Sequence, residues 1–117
     1  MKAFNRTKGR LAEDIAAQAL RAKGYDILAQ NFSTRFGEID IIAKQKDTMV
    51  FVEVKSKTGN DFGIPEDMIS KRKLRRIYTM AQLYMGEKNV PSRVDIVAIV
   101  LGQSGEVLRL THYENVY

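Results

Sequence analysis

Asp40, Glu53 and Lys55 are residues whose types and spacing could do chemistry, and all three lie in FGEIDIIAKQKDTMVFVEVKSK, residues 36–57. Two carboxylates held side by side repel, and burying them raises one pKa unless a cation intervenes. A hard divalent cation suits them. Mg²⁺ prefers a few carboxylate oxygens with retained waters, so Asp40 and Glu53 fit it better than a site needing His or Cys. An ammonium at Lys55 could orient a water, favour its hydroxide form, or stabilise charge developing on a scissile phosphate.

Those residues need two strands to position them. Residues 36–44 and 49–57 are rich in β-branched and aromatic side chains and alternate with period 2. Gln45, Lys46, Asp47 and Thr48 join them as a four-residue hairpin loop. Lys44 then faces Met49, Asp40 faces Glu53, and Glu38 faces Lys55, where it could hold or tune the lysine. The opposite face collects Ile39, Ile41, Ala43, Val50, Val52 and Val54 beneath a helix. A one-residue slip would set Glu53 against Ile39 and scramble both faces. Opposed side chains on one face lie ~4.5 to 5.5 Å apart at Cβ, close enough to share an ion. Lys55 follows Glu53 by ~6.6 Å along the strand. The bland alternative is a solvated sheet face carrying surface ion pairs. Against it stand the apolar character of the strands, the meeting of two acids at the centre, and a further acid on the first helix.

GEIDIIA followed by VFVEVKSK resembles the PD-(D/E)xK nuclease signature, with Ile39 standing where that signature has proline. More narrowly, the chain resembles the YraN family of small bacterial proteins, of the restriction-endonuclease-like superfamily and related to archaeal Holliday junction resolvases. The likeness runs from Gly9 and Glu13 through GEIDIIA, VEVK, residues 63–65 and residues 71–76 to RVDIVAIV. It implies a metal-dependent endonuclease that hydrolyses phosphodiester bonds in DNA at branched or structured sites. Asp40 and Glu53 would hold Mg²⁺ or Mn²⁺ with the Val54 carbonyl as a further ligand, Glu13 would add a carboxylate directly or through water, and Lys55 would assist the attacking water. The rival reading is a non-catalytic module of the same fold that binds DNA or RNA, or an accessory subunit. Cutting both strands of a junction needs two active sites, so a homodimer is a candidate assembly.

The chain has 117 residues, no cysteine and a formal charge of +5. That length fits a single nuclease-like domain, and the positive charge suits a polyanion. Without cysteine, disulfides and thiolate metal sites are excluded. No apolar run approaches ~18 residues and no signal peptide is visible, which predicts a cytoplasmic protein without a membrane span. Residues 1–8 read as a flexible basic arm, and Thr7 as the cap of a helix reaching Lys23 and stopped by Gly24. Leu11, Ala12, Ile15, Ala16, Ala19 and Ala22 form its apolar stripe, with Glu13 at the border. Glu13 is there either a surface acid favoured by the helix dipole or a carboxylate leaning toward Asp40 and Glu53.

Residues 25–32 read as the first strand, and Arg35 in the following turn could touch phosphate or simply turn the chain. The loop around Gly59, Gly63 and Pro65 could shape substrate entry or reverse the chain. Pro65 opens a helix reaching Met85, with Leu74, Ile77, Tyr78, Ala81, Tyr84 and Met85 as its core side. Lys71, Arg72, Lys73, Arg75 and Arg76 are either a solvated basic face or a ridge that positions phosphate, with Lys71 nearest the packed side. Residues 93–101 and 106–111 complete a hairpin, Arg93 and Asp95 form a structural ion pair, and His112 is incidental. A strand after a helical crossover runs parallel to the strand before it. The expected fold is α/β and restriction-endonuclease-like, a mixed sheet in the order αβββαββ with helices packed on it.

Overall fold

The computed structural model describes residues 2–59 and 63–117, with side chains described from residue 9 onward. Its elements are α1 (Lys2–Ala22), β1 (Asp26–Thr34), β2 (Gly37–Gln45), β3 (Thr48–Thr58), a 3-10 turn (Pro65–Met68), α2 (Lys71–Met85), β4 (Ser92–Leu101) and β5 (Val107–Tyr113). The order αβββαββ is as expected, and the strands form a mixed five-stranded sheet in sequence order. β1, β2 and β3 make an antiparallel meander; β4 joins β3 in parallel after the α2 crossover, and β5 pairs antiparallel with β4.

One helix covers each face. α1 sets Ala12, Ala16, Ala17 and Leu20 against Ile41, Ala43, Val50, Val52, Val97 and Ile99. α2 sets Ile77, Met80, Ala81 and Met85 against Ile39, Ile42, Met49, Phe51 and Val94. A strand covered on both sides is apolar at consecutive positions, which explains the run from Met49 to Val52.

The hairpin register holds with Lys44 opposite Met49, but Gln45 also pairs Thr48, so only Lys46 and Asp47 remain in the turn. Lys46 takes a left-handed backbone (φ 53) that tightens it. The β2–β3 ladder runs only as far as Ile41 and Val52, so the expected pairings of Asp40 with Glu53 and Glu38 with Lys55 are not formed. Ile39 packs under α2 rather than with Ile41 under α1, a break in alternation centred on Asp40.

Both helices differ from expectation in ways that bear on the site. α1 begins at Lys2, ahead of Thr7, and its buried stripe is rotated: Leu11 is 41% exposed while Ala17 and Leu20 are buried. The stripe therefore includes Glu13, one turn before Ala16 and Ala17. The second helix is broken after the 3-10 turn because Ser70 caps α2, its hydroxyl accepting from the Lys73 N–H at 3.1 Å. Tyr78 is exposed and stacks on Tyr117 instead of entering the core, where Met80 stands. Asn60, Asp61 and Phe62, in the loop expected to shape entry, lie outside the described residues, as do the side chains of residues 1–8.

Candidate active site

Asp40 stands where β2 and β3 part. Its Oδ2 accepts a 2.8 Å hydrogen bond from the Val54 N–H, so a carboxylate takes the place of a strand carbonyl. Across β1 the pairs Gln30–Ile41 and Phe32–Ile39 flank the position, and Asn31 between them adopts φ 54, a conformation Asn tolerates better than most residues. With its neighbours turned to opposite faces, Asp40 is reached from both.

From the α1 face comes Glu13. The small side chains of Ala12, Ala16 and Ala17, all buried, bring the helix close to the sheet and Glu13 with it. Carboxylate oxygens of Glu13, Glu38 and Asp40 lie within 4.8 Å of one another. Burial and the Asp40 charge push the Glu13 carboxyl up to about 7, with Glu38 adding to the rise and a hydrogen bond with the Asn31 side chain opposing it. Glu13 Oε2 is buried without a hydrogen-bond partner among the described residues. A buried carboxylate oxygen left unpaired among like charges is a costly arrangement that a cation would relieve.

From the α2 face comes Glu53, which is 7% exposed. Its carboxyl is pushed up to about 9 by burial, then by a hydrogen bond with Asp40 and the Asp40 charge, while Lys73 pulls it down. Lys73 Nζ lies 3.4 Å from Glu53 Oε2. Lys55 lines the same recess of about 280 Å³, together with Met68, Ile69, Ser70, Arg72, Lys73 and Arg76. Glu38 instead opens on a separate recess with Gly9, Arg10, Glu13 and Asn31, which places it beside Glu13 rather than over Lys55. The acids thus converge on Asp40 from two sides of the sheet rather than gathering on one.

The basic ridge is also reordered. Lys73, not Lys71, is the cation nearest the packed side, while Lys71 and Arg75 are exposed and Arg72 and Arg76 wall the recess. Arg35 lies over the Phe36 ring, 4.9 Å from its centroid. Asn31 escaped the sequence reading; a polar residue inside the run ILAQNF, of the type most tolerant of positive φ, was its one signal.

Asp95 belongs to a different network, at 0% exposure. It accepts from Arg93 Nε at 3.0 Å and from the Asn115 N–H at 2.9 Å, and His112 Nε2 lies 2.8 Å from its Oδ2. His112 is therefore not incidental. The Lys23 ammonium lies 2.8 Å from its Nδ1 and can only donate, so a neutral His112 carries its proton on Nε2 and gives it to Asp95.

The donor set around Asp40 is all oxygen, and the one histidine is engaged with Asp95. Together with the orphaned Glu13 oxygen, the group Glu13, Glu38 and Asp40 has the oxygen chemistry that a hard divalent cation such as Mg²⁺ or Mn²⁺ takes. No helix among the described residues is long and apolar enough to cross a membrane.

Comparison with known proteins adds lineage. The model of uncharacterised protein family UPF0102 matches residues 12–99, a span that contains Glu13, Glu38, Asp40, Glu53, Lys55 and α2. A UPF0102 protein of Dictyoglomus turgidum is 38% identical over 116 residues, covering 97% of this chain and 98% of the relative. One from Persephonella marina is 45% identical over 100 residues, covering 83% and 86% respectively. Another, from Caldanaerobacter subterraneus, is 39% identical with both chains covered completely. The chain belongs to the UPF0102 family, the YraN family that its sequence resembles.

Proposed function

We propose that this protein is a divalent-metal-dependent endonuclease that hydrolyses phosphodiester bonds in DNA, with branched or structured DNA as its substrate. The observation that carries the reading is the convergence of Glu13, Glu38 and Asp40, one oxygen of which is buried without a partner among the described residues, while Glu53 approaches Asp40 from the other face. Glu13 and Glu38 meet Asp40 on one side of the sheet, and Glu53 on the other side borders a cationic wall of Lys55, Arg72, Lys73 and Arg76.

The roles follow from placement. Asp40 and Glu53 would hold the ion, and Glu13 would add a carboxylate directly or through water, with Glu38 completing the acidic side. Asp40 fixes the Val54 N–H, and by analogy with the nuclease signature the Val54 carbonyl would be a further ligand. When bound, Mg²⁺ or Mn²⁺ supplies Lewis acidity for phosphoryl transfer to water. Lys55, in the same recess as Glu53, orients the attacking water and stabilises charge developing on the phosphoryl oxygens. Arg72 and Arg76 grip the backbone on either side, a contact that reads charge and not sequence. Symmetric cutting of a junction requires two such sites, which a homodimer supplies.

A second reading is favoured by Lys73, which already gives Glu53 a cation at 3.4 Å. In that reading the chain holds DNA or RNA without cutting, or serves as an accessory subunit, and the acids are neutralised internally. Cleavage of branched, single-stranded and duplex DNA in Mg²⁺ or Mn²⁺ separates the two. The nuclease reading requires activity in wild type and its loss in Asp40→Asn and Lys55→Ala. Equal activity in all three preparations, or none in wild type, removes it.

A further inference from the structure

Phe36 is a large aromatic side chain left 45% exposed in the turn between β1 and β2. Thr34 Oγ1 accepts from the Phe36 N–H at 3.0 Å and lies 3.0 Å from the Gly37 carbonyl, to which it can donate. Gly37 has φ 136, a conformation that disfavours side chains, and a Cβ there would stand 3.7 Å from Arg76 Cδ. Thr34 Oγ1 also lies 3.1 Å from Met80 Sδ, which ties the turn to α2.

Arginines surround the ring. Arg35 lies over it, and Arg72, Arg75 and Arg76 form with it and Thr79 a recess of about 270 Å³. A second recess of about 340 Å³ adjoins Phe36 on the side of Arg35, Met80 and Leu83. An apolar ring face rimmed by guanidinium groups suits a flat aromatic ligand that carries phosphates. Arg72 and Arg76 also wall the recess of Glu53 and Lys55, so the aromatic patch and the acid site adjoin across these two arginines.

We propose that Phe36, with Arg35, Arg72, Arg75 and Arg76, is a stacking platform for an unpaired base of a single-stranded DNA segment that continues into the acid site. The choice of DNA rests on the nuclease reading; the stacking chemistry does not require cutting. A fully paired duplex keeps its base faces inside the stack and offers the ring nothing, whereas a splayed or branched strand presents one.

The chain contains no tryptophan, so Phe36→Trp places a single tryptophan on the platform, excited at wavelengths where the five tyrosines do not absorb. Its emission is followed while oligothymidylate, oligouridylate and a blunt DNA duplex are titrated in EDTA, where cutting plays no part. The proposal requires quenching by oligothymidylate at concentrations where the duplex gives little, and roughly tenfold weaker oligothymidylate binding by Phe36→Ala with unchanged melting temperature. Absence of quenching, or equal quenching by duplex, overturns it. Tighter binding of oligouridylate overturns the assignment to DNA. Emission that depends on protein concentration and not on added strand shows a contact between two copies and likewise overturns it. Cleavage by wild type is scored separately: quenching without cleavage keeps the platform and removes the nuclease reading, and cleavage without quenching does the reverse.

Discussion

The backbone N–H of Val54 donates to Asp40 Oδ2 at 2.8 Å, so one side chain both closes the end of the β2–β3 ladder and heads the acidic cluster. The two duties separate by substitution. Asp40→Asn keeps an acceptor for Val54 and removes a charge that raises both Glu13 and Glu53. In EDTA at pH 8 it is expected to be at least as stable as wild type toward urea. Asp40→Ala orphans a part-buried N–H and is expected to be about 1 to 3 kcal/mol less stable than Asp40→Asn. A wild type more stable than Asp40→Asn under these conditions would show that the acids do not strain the metal-free fold.

Stability should depend on pH with a sign set by those acids. The folded carboxyls of Glu13 and Glu53, at about 7 and about 9, lie above their ordinary 4.5. Protonation therefore favours the folded state, and this contribution is fully present below about 4.5 and lost as pH rises through 7 and 9. Metal-free protein is expected to melt at lower temperature at pH 8.5 than at pH 6. Mn²⁺ should raise the melting temperature more at pH 8.5 than at pH 6, because a larger share of the Glu13 and Glu53 carboxyls is ionised there. The opposite pH trend in EDTA would contradict the assignment.

Much of this arrangement could be read from residue order. Alternation in GEIDIIAK and MVFVEVK was enough to set Lys44 against Met49, and the apolar run Met49 to Val52 announced a central strand. The same alternation misplaced Ile39, because a strand that parts from its neighbour at Asp40 no longer keeps period 2 there. Helical spacing put Glu13 at a border since Leu11 looked like core; close approach of the helix through Ala12, Ala16 and Ala17 selected another stripe. Lys73 was hidden within a uniform basic run, its role decided by the Ser70 cap that restarts the helix. A left-handed residue such as Asn31 has no periodic signature at all.

Glu13 carries a carboxylate with one oxygen that nothing among the described residues satisfies. Glu13→Gln is expected to weaken Mn²⁺ binding about tenfold or more by calorimetry while leaving the metal-free fold intact. Asp14→Asn, exposed on the same helix, serves as the control and should bind as wild type does. Equal affinities for the two variants would remove Glu13 from the site.

Asp95 answers the converse question, whether every buried acid here serves chemistry. It is fully buried and bound by Arg93, His112 and the Asn115 N–H. Asp95→Ala is expected to cost about 3 to 5 kcal/mol in urea unfolding by stranding those partners. Under conditions where the variant is folded, its Mn²⁺ affinity should equal that of wild type. A selective loss of metal binding would bring this network into the site.

The most direct measurement is the anomalous difference map of a crystal soaked in Mn²⁺ above pH 8. A peak bound by Asp40 and Glu53, with Glu13 or Glu38 completing the oxygen set and Lys73 displaced from Glu53, is the predicted result. A map with no peak at Asp40, and Lys73 still paired with Glu53, would contradict the metal centre and the hydrolysis built on it.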